Sequence, residues 1–137
     1  MGSHRLAVVT GGSRGLGREL ALGLAREGYD LLVCARGAAN LEAVRNETMA
    51  LGRKCQTWQG DLTSGSGGGL LEHLKATRVD VLINNAAAAP QLKRLEELTA
   101  SDYQRTFSLN LYVPYRLMQA ALKGMLSHKS GVIVNIC

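Results

Sequence analysis

Leu6-Ala-Val-Val-Thr10-Gly11-Gly12-Ser13-Arg14-Gly15-Leu16-Gly17-Arg18-Glu19-Leu20 reads as a short apolar strand, a glycine-rich turn and the opening of a helix. The strand is too apolar to be half exposed, so it belongs in the middle of a sheet. Glycines let the backbone turn sharply and come close to a ligand with no Cβ in the way. The helix then begins with free N–H groups and the positive end of its dipole aimed over the turn. A phosphate is the natural occupant of such a place, and Arg14 adds a charge to it.

Two common nucleotide loops are excluded by the spacing. The ATP/GTP loop ends in Gly-Lys-Ser/Thr, which is absent. The fingerprint G-x-G-x-x-G needs a third glycine where Leu20 stands. What is present is T-G-x-x-x-G-x-G, on Thr10, Gly11, Gly15 and Gly17, between an apolar strand and an amphipathic helix. This pattern resembles the short-chain dehydrogenase/reductase family, classical type, whose members bind NAD or NADP at this turn. The extended epimerase branch carries T-G-x-x-G-x-x-G and is contradicted by the spacing. The resemblance implies a cofactor-binding turn made of Gly11, Ser13, Arg14, Gly15, Leu16 and Gly17.

A chain of 137 residues is one domain's worth, 1–137, with no room for two ordinary ones. Apolar residues make up 46%, enough for a packed core, so disorder is not expected. The net charge of +5 is scattered, and the few aromatic residues form no stacking platform, so nucleic acid is not the expected partner. The positive balance suits an anionic cofactor instead. No apolar run is long enough to span a bilayer, and no charged-then-apolar segment opens the chain. Cys34, Cys55 and Cys137 are odd in number and lack C-x-x-C spacing. They read as small core residues in a reducing compartment, so a cytoplasmic protein with no metal site is expected.

The first helix is predicted from Gly15 to Glu27, with Leu16, Leu20 and Leu24 on one stripe and Gly28 as the stop. The second strand, Asp30–Arg36, ends on a basic residue. In dinucleotide folds an acidic side chain at this place holds the ribose 2′-hydroxyl, whereas an arginine accepts a 2′-phosphate. Arg36, with Arg14 approaching from the turn, therefore points to NADP(H) over NAD(H). Asn40 is predicted to cap a helix to Ala50 whose inner face is Leu41, Val44, Thr48 and Leu51. The third strand, Cys55–Gln59, closes on Gly60-Asp61-Leu62-Thr63. Asp-Leu here resembles the family's adenine position, which implies that Asp61 accepts from the exocyclic amine and the Leu62 backbone completes the contact. Ser64–Gly69 is expected to be a surface loop before a short helix from Leu70 to Ala76.

The fourth strand, Val79–Asn84, runs into Asn84-Asn85-Ala86-Ala87, where the family carries Asn-Asn-Ala-Gly. The resemblance implies that Asn85, Ala86 and Ala87 border the cofactor's path toward the nicotinamide. Ala87 in place of glycine is tolerable at negative φ and costly at positive φ. A long helix is predicted from Ser101 to Ser127, capped by Thr99 or Ser101 and interrupted by Pro114 near Asn110–Leu111. Leu109, Tyr112, Met118, Ala121, Leu122 and Met125 repeat along it at helical spacing. Asn110 resembles the family's helix asparagine, a catalytic position whose implied role is to hold a water that relays protons to the catalytic lysine. A buried asparagine in mid-helix is otherwise unfavourable, which supports a special role; the alternative is an asparagine that stabilises the kink. A fifth strand spans Gly131–Cys137.

The expected fold is α/β, a Rossmann-like doubly wound parallel sheet of strand order 3-2-1-4-5. The family's catalytic serine and Tyr-x-x-x-Lys do not occur. Tyr29, Tyr103 and Tyr115 are followed at that spacing by Val33, Phe107 and Gln119. Tyr112 is followed by Arg116, but in the wrong helix, and arginine cannot relay a proton. The resemblance thus covers the family's N-terminal cofactor-binding portion, without the last strands and the catalytic-tyrosine helix, and this chain alone is expected to be inactive. Strand five would be an exposed apolar edge, which implies marginal stability or association through that edge, and a homo-oligomer is expected. Two functions fit: an NADP(H)-dependent oxidoreductase interconverting a small-molecule carbonyl and a secondary alcohol, of which this is a part, or a truncated, non-catalytic nucleotide-binding or interaction module. The reading frame beyond codon 137 separates them.

Overall fold

Successive residues of the central strands face opposite sides of the sheet, and the packing follows that period of two. The computed structural model describes residues 4–64, 67–88 and 92–137. Its strands are β1 (Leu6–Thr10), β2 (Asp30–Ala35), β3 (Cys55–Gln59), β4 (Val81–Asn84) and β5 (Val132–Asn135). They pair in parallel in the order β3-β2-β1-β4-β5, as expected. The helices are α1 (Gly15–Arg26), α2 (Ala38–Ala50), α3 (Gly67–Ala76), α4 (Ala100–Phe107) and α5 (Val113–His128).

On one face Ala7, Val9, Leu31, Val33 and Ile83 pack with Ala21, Leu22 and Ala25 of α1 and Leu41 and Val44 of α2. On the other, Val8, Leu32, Cys34 and Leu82 pack with Leu70 and Leu74 of α3 and Leu117, Ala121 and Met125 of α5. Each large side chain so buried contributes about 1.5–3 kcal/mol, and β1, covered on both sides, is the centre of both layers.

Several local expectations are corrected. The buried stripe of α1 is Gly17, Ala21, Leu22 and Ala25; Leu16 is exposed, and Leu20 and Leu24 pack only at the margin. Small residues bring this helix close to the sheet. Helix α2 begins at Ala38 after a Gly37 cap, so Asn40 lies in its first turn. Ala38 and Ala39 are strong helix formers, and nothing delays the start. Leu51 ends α2 exposed. Gly67–Gly69 belong to α3, not to a loop. Burial of Leu70 and Leu74 anchors that helix, and a Cβ on Gly67 would come within 2.6 Å of the Leu62 carbonyl oxygen. Residues 65 and 66, also assigned to the loop, lie outside the described residues. The fourth strand runs from Val81, with Val79 and Asp80 buried before it and the Asp80 backbone already bonded to Leu6 and Val132 at 2.9 Å.

The long helix is interrupted where Pro114 implied. Residues Ser108–Tyr112 form a single π-turn between α4 and α5. Pro114 has no N–H to offer the Asn110 carbonyl, and a wider turn accommodates the gap. Of the two cap candidates it is Thr99 that caps α4. Its hydroxyl accepts from the Asp102 N–H at 3.1 Å, and Asp102 Oδ2 accepts from the Thr99 N–H at 3.0 Å. The inner face of α5 is Leu117, Ala120, Ala121 and Met125, whereas Tyr112 and Leu122 point to solvent. Val132, Val134 and Ile136 stay exposed on and beside β5, as expected for that edge.

The Thr99 backbone N–H, Lys93 and the Thr99 hydroxyl together hold the Asp102 carboxyl at about 2 instead of 3.8. A depressed folded value means that the cap's contribution is complete above about 3.8 and is lost as pH falls through about 2. A carboxyl NMR titration is therefore expected to find Asp102 still ionised at pH values where ordinary aspartates are half protonated.

Among the described residues no helix is long and apolar enough to cross a membrane.

Candidate functional site

The site grows from the end of β1. Thr10 is buried, and its hydroxyl accepts from the backbone N–H groups of Asn85 (3.0 Å) and Ala86 (3.1 Å) while facing the Ile83 carbonyl at 3.4 Å. The Asn85 amide returns the connection, donating to the Gly11 carbonyl at 3.1 Å. On the other side the Gly11 and Gly12 N–H groups donate to the Cys34 carbonyl at 2.8 and 3.3 Å. The turn is thus tied to β2 and to the exit of β4. Thr10→Val, nearly isosteric, leaves two backbone donors without an acceptor. A loss of about 2 kcal/mol or more is expected in denaturant unfolding.

Gly11 takes φ +62°, and Gly15 takes φ +55°. Gly17 is the tightest point: a Cβ there would collide with the Gly11 carbonyl and the Asn85 amide. The first turn of α1 then opens with no side-chain cap and no acidic residue. Its N–H groups are left for whatever lies above the turn.

Above the turn is a cleft of about 960 Å³ along the carboxyl ends of the strands. Gly11, Ser13, Arg14 and Gly15 form its floor, Arg36 the exit of β2, and Asp61 and Leu62 the exit of β3. Asn85, Ala86 and Ala87 line it after β4. Among non-glycine described residues only Lys129 has positive φ, so Ala87 carries no left-handed strain in place of the family's glycine. Three expected site residues lie off the wall. Leu16 is exposed on α1, Gly17 sits behind the turn, and Asn110 lies in the π-turn. Asn110 is exposed, not buried, because it reaches out to a loop. Its Oδ1 accepts from the Ala88 N–H at 2.8 Å and its Nδ2 donates to the Ala88 carbonyl at 3.2 Å. Asn84 donates to Asn135 Oδ1 at 2.9 Å, joining β4 to β5 at the same edge.

The charge on these walls is unequal. Asp61 Oδ1 accepts from the Thr63 hydroxyl (2.7 Å) and N–H (2.9 Å), which hold its carboxyl below the usual range, and Arg36 and Arg105 add to the effect. Elsewhere arginines are paired: Arg18 with Glu47, Arg53 with Asp30, Arg78 with Asp80, Arg116 with the Tyr112 hydroxyl. The Arg14, Arg36 and Arg105 guanidinium groups have no hydrogen-bond or ion-pair partner among the described residues, and all three line the cleft. Arg26 is equally unpaired but ends α1, where the helix dipole favours a cation. Cys34 reaches the cleft only from the core, where burial pushes its thiol up to about 12, so it is no nucleophile.

Sequence reasoning missed the α4 wall, where Asp102, Tyr103, Arg105, Thr106 and Phe107 face the same space. Tyr103 and Phe107 stack with ring centroids 4.3 Å apart. Nothing local marks these residues, because their place depends on how the π-turn aims α4. The Thr10 hydroxyl bridge could have been suspected from the motif itself.

The fold and cleft define a nucleotide-binding parallel α/β domain of the Rossmann type. Residues 5–137 match the short chain dehydrogenase family, and the chain belongs to it. It is similar to the 1,6-dihydroxycyclohexa-2,4-diene-1-carboxylate dehydrogenase of Acinetobacter baylyi, at 34% identity over 97% of this chain and 52% of that one. A metagenomic short-chain oxidoreductase solved with NADP superposes with a TM-score of 0.89 at 31% identity, covering 96% of this chain and 61% of that one. A Sphingobium yanoikuyae short-chain dehydrogenase solved with NADPH gives 0.90 at 30% identity, covering 96% and 52%. The chain spans about half the length of the curated relatives it matches.

Proposed function

We propose that residues 1–137 serve as the NADP(H)-binding domain of an oxidoreductase that interconverts a carbonyl and a secondary alcohol. The observation that carries this reading is the unpaired Arg36 at the exit of β2, beside Arg14 and with no carboxylate ending that strand. A 2′-phosphate satisfies these guanidinium groups, whereas a free 2′-hydroxyl leaves them unused. Two relatives solved in complex with NADP or NADPH support it. The residues fit such a group. The cleft volume is at the upper end of ligand pockets, suiting a long dinucleotide, and a Cβ at Gly11 or Gly17 would crowd Ala86, Asn85 or the Gly11 carbonyl and so deform the turn beneath it.

In this reading the first-turn N–H groups of α1 and Ser13 receive the diphosphate, and Arg14 and Arg36 receive the 2′-phosphate. Asp61 accepts from the adenine amine, with the Leu62 backbone beside it. Asn85, Ala86 and Ala87 leave a low wall toward the reacting end. The bound dinucleotide supplies the hydride. Asn110 fixes the Ala88 loop through both polar atoms of its amide, and its carbonyl, denied a donor by Pro114, is available to hold a water for proton relay. The free, buried Cys34 and Cys55 fit a reducing compartment, the cytoplasm. The exposed apolar residues of β5 suit association of copies, which sedimentation equilibrium would detect as a mass above 14.7 kDa.

Titrating the chain with NADPH and NADH tests the cofactor assignment. Tighter binding of NADPH is expected, and equal or tighter binding of NADH would refute it.

A further inference from the structure

We propose that Arg105 is an adenine-binding residue of this cleft, holding the ring from the α4 side while Asp61 and Leu62 hold it from the β3 side. The inference rests on the dinucleotide reading above and extends it to a wall which that reading does not use. Arg105 stands on the second turn of α4 and lines the cleft. A carboxylate one turn away is the local partner that stabilises an exposed helical arginine. Here the carboxylate three residues back, Asp102, is taken by Lys93 at 3.0 Å and by Thr99. Arg105 therefore keeps its guanidinium without a partner among the described residues.

Its position relative to the other cations sets its role. Arg36 leaves the end of β2 whereas Arg105 comes from α4, and both line the cleft and act on the Asp61 carboxyl. Arg105 and Asp61 line one cleft, so a guanidinium on α4 that acts on the Asp61 carboxyl is within reach of the ring whose amino group Asp61 receives. A planar cation stacks on such a ring by cation–π attraction. A 2′-phosphate grip by Arg105 would instead make it redundant with Arg14 and Arg36.

The test is isothermal titration of the full chain and of Arg105→Ala and Arg36→Ala with NADP+, NAD+, 5′-AMP and nicotinamide mononucleotide. Arg105→Ala is expected to weaken NADP+, NAD+ and 5′-AMP by one common factor, about 5- to 30-fold, and to leave nicotinamide mononucleotide unchanged. Arg36→Ala should weaken NADP+ alone. Because Arg105 is exposed, its variant is expected to melt with the parent chain, so a loss of binding is not a loss of fold. Unchanged binding of all adenine ligands, or a loss confined to NADP+, overturns the assignment. If the unaltered chain binds neither dinucleotide, the cofactor reading itself fails and this inference with it. That result is distinct from normal binding that ignores Arg105.

Discussion

Gly17→Ala is expected to lower stability by about 2–4 kcal/mol and to abolish measurable dinucleotide binding. The added Cβ is fixed to the backbone, so no rotamer can move it away from the Gly11 carbonyl and the Asn85 amide. Either α1 slides off the turn or the Asn85–Gly11 hydrogen bond breaks, and both deform the cradle. Overpacking of this kind costs about 1–3 kcal/mol, and a lost hydrogen bond adds about 1 kcal/mol. Thermal unfolding should show the loss as a fall in Tm of roughly 10 °C. Gly23, on the same helix, is the control. A Cβ there meets nothing within 4 Å, so Gly23→Ala should stabilise by about 0.5–1 kcal/mol through helix propensity alone. Equal effects of the two substitutions would refute the close-packing account.

Arg36→Ala is the second large effect. Removing a guanidinium that hydrogen-bonds a 2′-phosphate costs about 1.5–3 kcal/mol, or about 10- to 100-fold in NADPH affinity, with NADH little changed. Arg36→Asp should go further and reverse the preference, since a carboxylate repels the 2′-phosphate and accepts from a 2′-hydroxyl. Fluorescence or calorimetric titration reads both. An Arg36→Ala chain that keeps its full NADPH affinity would show that the end of β2 does not select the cofactor.

Both effects begin in features legible in the amino-acid sequence alone. Apolar strands at regular spacing announce the parallel sheet, and Thr10, Gly11, Gly15 and Gly17 announce the turn. Arg36 at the end of its strand is equally plain. Two kinds of local signal mislead. Large apolar residues suggest inward helix faces at Leu16, Leu51 and Leu122, yet each is exposed. Glycine suggests a loop at Gly67–Gly69, yet two buried leucines hold that stretch in a helix.

Beyond the strand order, which the family resemblance implied, the sequence by itself determined the alternation of apolar strands with helices, the glycine turn after β1 and the basic end of β2. Each is written in residues close along the chain, through local backbone preference and hydrophobic period. Only the tertiary structure decided that Thr10 binds Asn85 and Ala86, that Asn110 grips Ala88, and that Arg105 lines the same cleft as Asp61. These partners are far apart in sequence, and they meet because the register of β1 against β4 and the π-turn before Pro114 carry them to one cleft. Spacing along a chain holds no record of distances across a sheet until its strands have paired.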